Sequence, residues 1–509
     1  MKLFVDIIVV IIYIAVRYYY WSKTSKNSGI TADGYLSMLF VKEFQRNGRK
    51  RIKYYPYEII KQPLIYPTLG AKILSFVNLN NIIKYVGLMN SFIDLLFFGL
   101  ILGTLNYLNI SYINTIIVSF TFILLPTIFG LNFSSPMHFS LTWRDLGRLI
   151  TTMYFISIAV IYFNNNILLM TIPILLYILV FYSSLFGLQA VVFGTIIMSI
   201  LSLNYIPIFL VIISNLLLFA FDRKYYYQYH KSRYGFFKNY YINIRHSHPG
   251  TTGDSAFSFQ HIAKAIGYIF KFRYKELKRT LFSDPLLRGI LLLIIQIPVA
   301  IGLLLVNTEV SHILLYLYLT SVILWLLTLN SVLKIFGEPD RYLEFFGYFP
   351  ILVGLGYVLN YCKEDVIIYL VYFTMFFQIG IAIFQIFISI KAKSKVGIDD
   401  KLSLYPYLKD ENIFPISMSE SRKISYVFDC NTLRASTMLD PKEFSFITTY
   451  PMPNWINLGE VCEKYKIRYL VITNKYNHLC KFDIIDKYFN RIDADKNYTI
   501  YQIRDKIVG

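Results

Sequence analysis

A succession of long apolar windows limits this chain more than any other feature. They fall at about 3–20, 82–104, 112–130, 148–163, 167–182, 187–202, 205–221, 289–306, 312–335, 348–361 and 366–390. A run near 20 apolar residues is about what crosses the ~30 Å hydrocarbon core of a bilayer. Lipid offers no hydrogen bonds to a bare backbone, so each such run is expected to be a helix. The pattern predicts an α-helical polytopic membrane protein with about 11 transmembrane helices. Composition agrees: the 509 residues are 56% hydrophobic and 18% aromatic, with mean hydropathy +0.49, which excludes an ordinary soluble enzyme. Behind the first window stands Tyr18-Tyr19-Tyr20-Trp21, not a small-residue cleavage site. That window reads as a retained span, with the aromatics as an interfacial belt.

Parity of the spans sorts the polar segments. With a cytoplasmic N-terminus, loops 21–81, 131–147, 222–288 and 336–347 and the tail 392–509 all fall on the outer face. The other face receives short connections such as Asn164-Asn165-Asn166, Asn307-Thr308-Glu309 and Lys363-Glu364-Asp365. Residues able to do chemistry thus share one face, as a single membrane-surface active site requires. The chain divides on this reading into a membrane domain, 1–391, and an extracytoplasmic tail domain, 392–509. In the tail, strand-like runs at Ile424–Asp429, Phe444–Thr449, Arg468–Thr473 and Tyr498–Ile503 alternate with helix-like runs at Leu458–Tyr465 and Ile484–Phe489. That order predicts a small α/β domain. It carries no GxGxxG, P-loop or GxSxG pattern, and no chemistry is assigned to it.

The net charge of +19 reflects either Lys-rich composition or an anionic partner such as lipid phosphate. The cations are spread over membrane loops, so nucleic acid is not the expected partner. Cys362, Cys430, Cys462 and Cys480 have no zinc-site spacing.

The first outer loop begins with Asp33. An amphipathic helix follows, with Leu36, Leu39, Phe40 and Phe44 on one face. Such a helix suits the plane of the bilayer surface. Next come the cations Arg46, Arg49, Lys50, Arg51 and Lys53, and then Lys61-Gln62-Pro63-Leu64-Ile65-Tyr66-Pro67. Asp33 reads either as a general base or as the cap of its helix. Loop 131–147 holds His138, Arg144 and Asp145, with Arg148 following. These are either substrate groups or interfacial arginines paired with Asp145. Loop 222–288 carries His246, His248, Asp254 and His261 with no standard metal spacing, and an amphipathic run over Phe257–Arg273. Arg341-Tyr342 precedes an apolar run to Pro350; the arginine either binds phosphate or pairs with Glu338, Asp340 or Glu344. Asp94 and Lys84 lie inside an apolar window, where a charge is expensive and hints at function. Asp94 could pair with Arg148 or Lys84.

Asp33-Gly34-Tyr35 after the first span, Glu43, and Lys61 to Pro67 together resemble the first outer loop of the GT-C superfamily, in its protein mannosyltransferase and lipid A aminoarabinose transferase branch. Arg341-Tyr342 with Pro350 is similar to the arginine-tyrosine-proline segment of that superfamily. A second acid often follows the first; here Gly34 stands there. The resemblance implies an integral membrane glycosyltransferase. Its donor is a polyprenyl-phosphate or polyprenyl-diphosphate sugar, and its acceptor a lipid- or glycan-linked molecule at the outer face of the plasma membrane. It implies Asp33 as base and Lys61, Arg341 and Tyr342 on donor phosphate. Arg144, Asp145, Arg148, Tyr66, His246 and His248 are expected on acceptor or substrate. No obligatory metal is expected, since only Asp33 and Asp145 offer obvious oxygen ligands, although some branches use a divalent metal at the second acid. The positive-inside rule alone would put the basic first loop in the cytoplasm; the resemblance puts it outside. The alternatives are a surface-polysaccharide polymerase or ligase, which usually lacks an acid-bearing first loop, and a lipid-linked glycan transporter, which needs midplane polar groups or an internal repeat.

Overall fold

The computed structural model describes residues 2–24, 32–124, 143–163, 166–244, 259–273, 276–277, 280, 285–330, 333–336, 339–391, 405–416, 420–434, 439–449 and 452–504. The chain forms two compact units, each discontinuous in sequence. Unit 1 comprises Met1–Ser28, Lys84–Phe221 and Gly253–Lys395, and unit 2 comprises Gly29–Ile83, Asp222–Thr252 and Val396–Gly509.

The helices in chain order begin with α1 (Lys2–Thr24), α2 (Ala32–Arg46), α3 (Leu69–Leu74), α4 (Leu79–Tyr107), α5 (Tyr112–Leu124) and α6 (Arg144–Phe163). Then come α7 (Thr171–Ser183), α8 (Leu185–Ser202), α9 (Ile206–Phe221), α10 (Arg223–Asn239) and α11 (Phe259–Phe270). The apolar series ends with α12 (Pro285–Val306), α13 (Glu309–Leu329), α14 (Tyr348–Tyr361) and α15 (Asp365–Lys391). Among the described residues, α4, α6, α8 and α13 are long and apolar enough to cross a membrane by length and composition. Others are shorter: α7 has 13 residues, about 20 Å at 1.5 Å per residue. Several apolar helices are therefore present, but the expected count of about 11 full spans is not reached among the described residues. The core of unit 1 is an aromatic stack in which Phe98 and Phe122 lie parallel with ring centres 4.8 Å apart, flanked by Tyr13, Phe97 and Tyr348.

Unit 2 is built on a five-stranded mixed sheet with the order β2-β1-β5-β7-β6. Here β1 is Asn412–Pro415, β2 Asn431–Thr432, β5 Tyr469–Thr473, β6 Phe489–Ala494 and β7 Tyr498–Ile503; β3 (Thr448–Thr449) and β4 (Met452–Pro453) form a separate short ribbon. Ile413 pairs in parallel with Thr432 on one side and Tyr469 on the other, while β7 runs antiparallel to β5 and β6. The helices of the tail are α16 (Ser421–Phe428), α17 (Pro441–Ile447), α18 (Leu458–Lys464) and α19 (Phe482–Tyr488). Two expectations change here. The run Ile424–Asp429 is helical: Ser421, Ile424, Ser425 and Phe428 are buried, a spacing of three and four and not of two. Most of Phe444–Thr449 is likewise helix, started by Asp440, whose side chain accepts from the Lys442 N–H.

Helix α2 forms over the expected residues, but its packing differs from the expectation. Tyr35 to Val41 are all buried, and the Tyr35 ring lies 5.5 Å from Tyr426 of α16. Its apolar face is thus covered by unit 2's own side chains and is not left for lipid.

Candidate functional site

Unit 2 assembles the first loop. Residues 53–64 double back as a narrow hairpin: Tyr55 N–H donates to Gln62 O at 3.0 Å and Leu64 N–H to Lys53 O at 2.9 Å. Lys61 sits on its returning arm, exposed and without an ion pair among the described residues. The hairpin tip lies along β2, with Thr432 N–H donating to Tyr57 O at 2.9 Å and Ile59 N–H to Thr432 O at 3.1 Å. Tyr57 holds φ +59°, which a side-chain-bearing residue keeps only when its surroundings impose it. Those surroundings are ionic. Asp429, just past α16, takes Lys42 Nζ at 2.7 Å and Arg46 Nη2 at 2.9 Å, and Arg46 also donates to the Tyr57 hydroxyl. Burial pushes the Asp429 carboxyl up, but Lys42 and then Arg46 outweigh that and hold it below its ordinary value. Nearby, buried Glu58 pairs with Arg434 at 3.1 Å; burial raises its carboxyl against the pull of Arg434 and Arg422. From the other side, the Tyr225 hydroxyl of α10 donates to Ile65 O at 3.2 Å, and Arg51 pairs with Asp222 at 3.0 Å. Tyr66 is half-buried with its ring 5.9 Å from Phe40. Asp33 is the second residue of α2, inside the first turn, where a carboxylate complements the helix dipole. Its side chain lies outside the described residues, as do His138, His246 and His248.

Unit 1 brings the start of α6 and the Arg341 segment together. A Cβ on Gly147 would lie 2.4 Å from Ser184 Oγ and 3.3 Å from a Phe345 ring carbon, so only glycine permits this approach. Asp340–Tyr342 continues through one π-helical turn, Leu343–Gly347, into α14. Wider turns of this kind free backbone carbonyls; here Thr152 of α6 donates to Phe345 O at 3.0 Å. Arg341 is half-buried with its guanidinium 5.4 Å from the Phe186 ring centre. Tyr342 is fully buried, packs on Phe186 at 4.9 Å and donates its hydroxyl to Phe336 O at 2.7 Å.

Asp145 and Arg148 are both buried on the first turns of α6. The nearer partner of Arg148 is not Asp145, at 3.9 Å, but Asp94 of α4, which accepts from Arg148 Nη2. The other Asp94 oxygen accepts from the Tyr13 hydroxyl at 2.9 Å and lies 3.5 Å from Arg17 Nη2. Of the two partners left open for Asp94, the structure selects Arg148. Arg17 and Tyr13 went unnoticed in sequence reasoning, although an arginine within Tyr13-Ile14-Ala15-Val16-Arg17 was the signal of a buried partner for an acid. Among the described residues no group of three His, Cys, Asp or Glu side chains gathers as a metal site.

No protein-family model matches this sequence, and no curated protein matches it. Solved structures do. The oligosaccharyltransferase of Archaeoglobus fulgidus, solved with Zn and sulfate, is similar over 98% of this chain and 73% of its own, at 12% identity and TM-score 0.54. The same organism's oligosaccharyltransferase AglB, with an inhibitory peptide and a dolichol-phosphate, matches over 97% and 74% at 10% identity and TM-score 0.48. ArnT from Cupriavidus metallidurans, bound to undecaprenyl phosphate, matches over 98% and 99% at 9% identity and TM-score 0.44. On the first of these matches, this chain shares its fold with that oligosaccharyltransferase.

Proposed function

We propose that this chain transfers a sugar from a polyprenyl-phosphate or polyprenyl-diphosphate carrier to a lipid- or glycan-linked acceptor on the outer face of the plasma membrane. The observation that supports this most is that, in a chain of this fold, the helix whose first turn carries Asp145 is joined through Thr152 to the π-helical turn that follows Arg341. Asp33 is the general base that takes the acceptor proton as the anomeric carbon is attacked. Lys61 and Arg341 offset the charge that develops on the leaving phosphate, so that oxygen needs no proton. Exposed Lys61 suits that part, because it has no ion pair among the described residues. Asp145 engages the acceptor, with Arg144 and Arg148 beside it on the same helix. Tyr66, His246 and His248 are assigned to the substrate, and Tyr342 supports Arg341. The A. fulgidus neighbour was solved with zinc; a divalent ion at Asp145 is compatible with this scheme and is not required by it.

The test is Asp33→Asn. Asparagine keeps the size of the side chain and removes its capacity to accept a proton. With radiolabelled polyprenyl-phosphate sugars as donors, transfer is expected to fall by roughly 10²–10⁴-fold while donor binding persists. Near-normal transfer by a variant with an unchanged thermal transition would sink the assignment.

A further inference from the structure

An amide buried among membrane helices without a hydrogen bond costs free energy, and lipid offers it no partner. Unit 1 holds two buried amides away from every group assigned above. Gln296 of α12 is 4% exposed and Gln378 of α15 is 9% exposed. Neither side chain makes a hydrogen bond among the described residues. Both line one cavity of about 20 Å³, and Thr121 of α5 and Thr374 of α15 line it with them. Thr374 and Gln378 are four residues apart, so one face of α15 presents both. The two hydroxyls have already placed their hydrogens: Thr121 donates to Ile117 O at 2.8 Å and Thr374 to Val371 O at 3.0 Å. Each hydroxyl oxygen can still accept.

The gap is local to these polar groups. Six residues further along α12, about 9 Å, the same bundle closes tightly. A Cβ on Gly302 would lie 2.5 Å from a Val358 methyl of α14, and a Cβ on Gly354 would lie 3.0 Å from Leu303. A cavity needs roughly 10–15 Å³ of this kind of space to admit one water, so a sugar or a lipid chain is far too large for it. Chemistry narrows the occupant further. Two amides offer N–H donors and carbonyl acceptors, and the threonines offer acceptors. A hard cation would engage only the oxygens and leave both amide NH2 groups unmet. Water, with two hydrogens and two lone pairs, meets both kinds.

We propose that this cavity is a hydration site built into the bundle, in which one ordered water accepts from the Gln296 and Gln378 amides and donates to the oxygens around it. It joins α5, α12 and α15 through that water. The proposal stands apart from the sugar-transfer reading, since none of its residues is assigned to substrate.

Gln296→Met and Gln378→Met test it in the full-length protein held in lipid nanodiscs. Methionine keeps the length of the side chain and removes the amide. Each single variant strands the amide that remains, so each should lower the thermal transition by at least about 2 °C. The double variant removes both amides together, so its loss should be clearly smaller than the sum of the two. Additive losses, or no loss in either single variant, overturn the inference. A density map of the native protein that resolves waters separates a bridging water from a direct bond between the amides. A peak at about 2.7–3.2 Å from both amides is expected. Amides bonded to each other, or no peak between them, overturn it. So does a native transition that differs between sodium and potassium salts at equal ionic strength, which would put a cation there. Should a single variant fail to fold, the native map decides alone.

Discussion

Each unit contains one aspartate held by two cations, and the two triads differ in what surrounds them. In unit 1, Asp94 is 0% exposed and its partners Arg17 and Arg148 are 3% exposed. In unit 2, the side chain of Asp429 is 9% exposed, Lys42 is 21% and Arg46 is 49% exposed. The arrangement is alike and the physics is not. Around Asp429, water replaces a lost partner and salt screens the remaining one. Around Asp94 the groups are buried, so solvent does not make good the loss of a charge. The buried triad therefore holds its helices at a high cost of disruption, whereas the half-exposed one mainly fastens α2 to α16.

The largest expected effect follows directly. Asp94→Ala should cost about 3–5 kcal/mol, as breaking a buried pair does, seen as a lowered thermal transition in detergent. Asp429→Ala should cost only about 1 kcal/mol, with faster amide exchange confined to α2 and α16. Equal costs would erase the distinction between the triads. Salt sharpens it next. Raising ionic strength from about 0.1 to 1 M shortens the screening length from about 10 to 3 Å. Exchange in α2 should quicken while the first turns of α6 stay protected; protection lost in both would place the Asp94 triad within reach of solvent.

The smallest effect is one of pH. The Asp429 carboxyl lies below its ordinary value in the folded protein. A depressed carboxylate contributes stability above its unfolded value of about 3.9, and that stability is lost as pH falls through the folded value. Amide exchange in α2, taken relative to the intrinsic rate at each pH, should therefore be level near neutrality and rise as the solution is acidified below about pH 4, and Asp429→Asn should abolish that rise. A rise of equal size in the variant would assign the acid sensitivity to another group, Glu443 being one whose carboxyl is also held low, by Lys464 and Tyr465 against the effect of burial.

Much of the fold was legible because its signals are local. Apolar runs of span length, the helix after Ala32, and the runs that became α18, α19, β5 and β7 depend on residues close in sequence. Where the reading changed, a short apolar run fitted two periods, as at Ile424–Asp429, and the neighbours that settled it lie far away in the chain. The candidate site was legible as residue types. Asp33, Lys61, Asp145 and Arg341 stand out as polar groups beside apolar runs, and Asp94 stands out inside one. Their partners were not legible. Nothing near Asp429 marks it as the anchor of a helix almost four hundred residues earlier, and nothing near Asp94 names Arg17.

The sequence by itself determined that this is a helical membrane chain with basic polar segments between its apolar runs, because lipid allows so few backbone solutions that length and hydropathy suffice. Only the tertiary structure decided that the first loop, the start of the second long loop and the tail fold as one unit, and that Arg148 answers to Asp94 more closely than to Asp145. An ion pair is chosen by distance and dielectric, and both are properties of packing that no stretch of sequence carries alone.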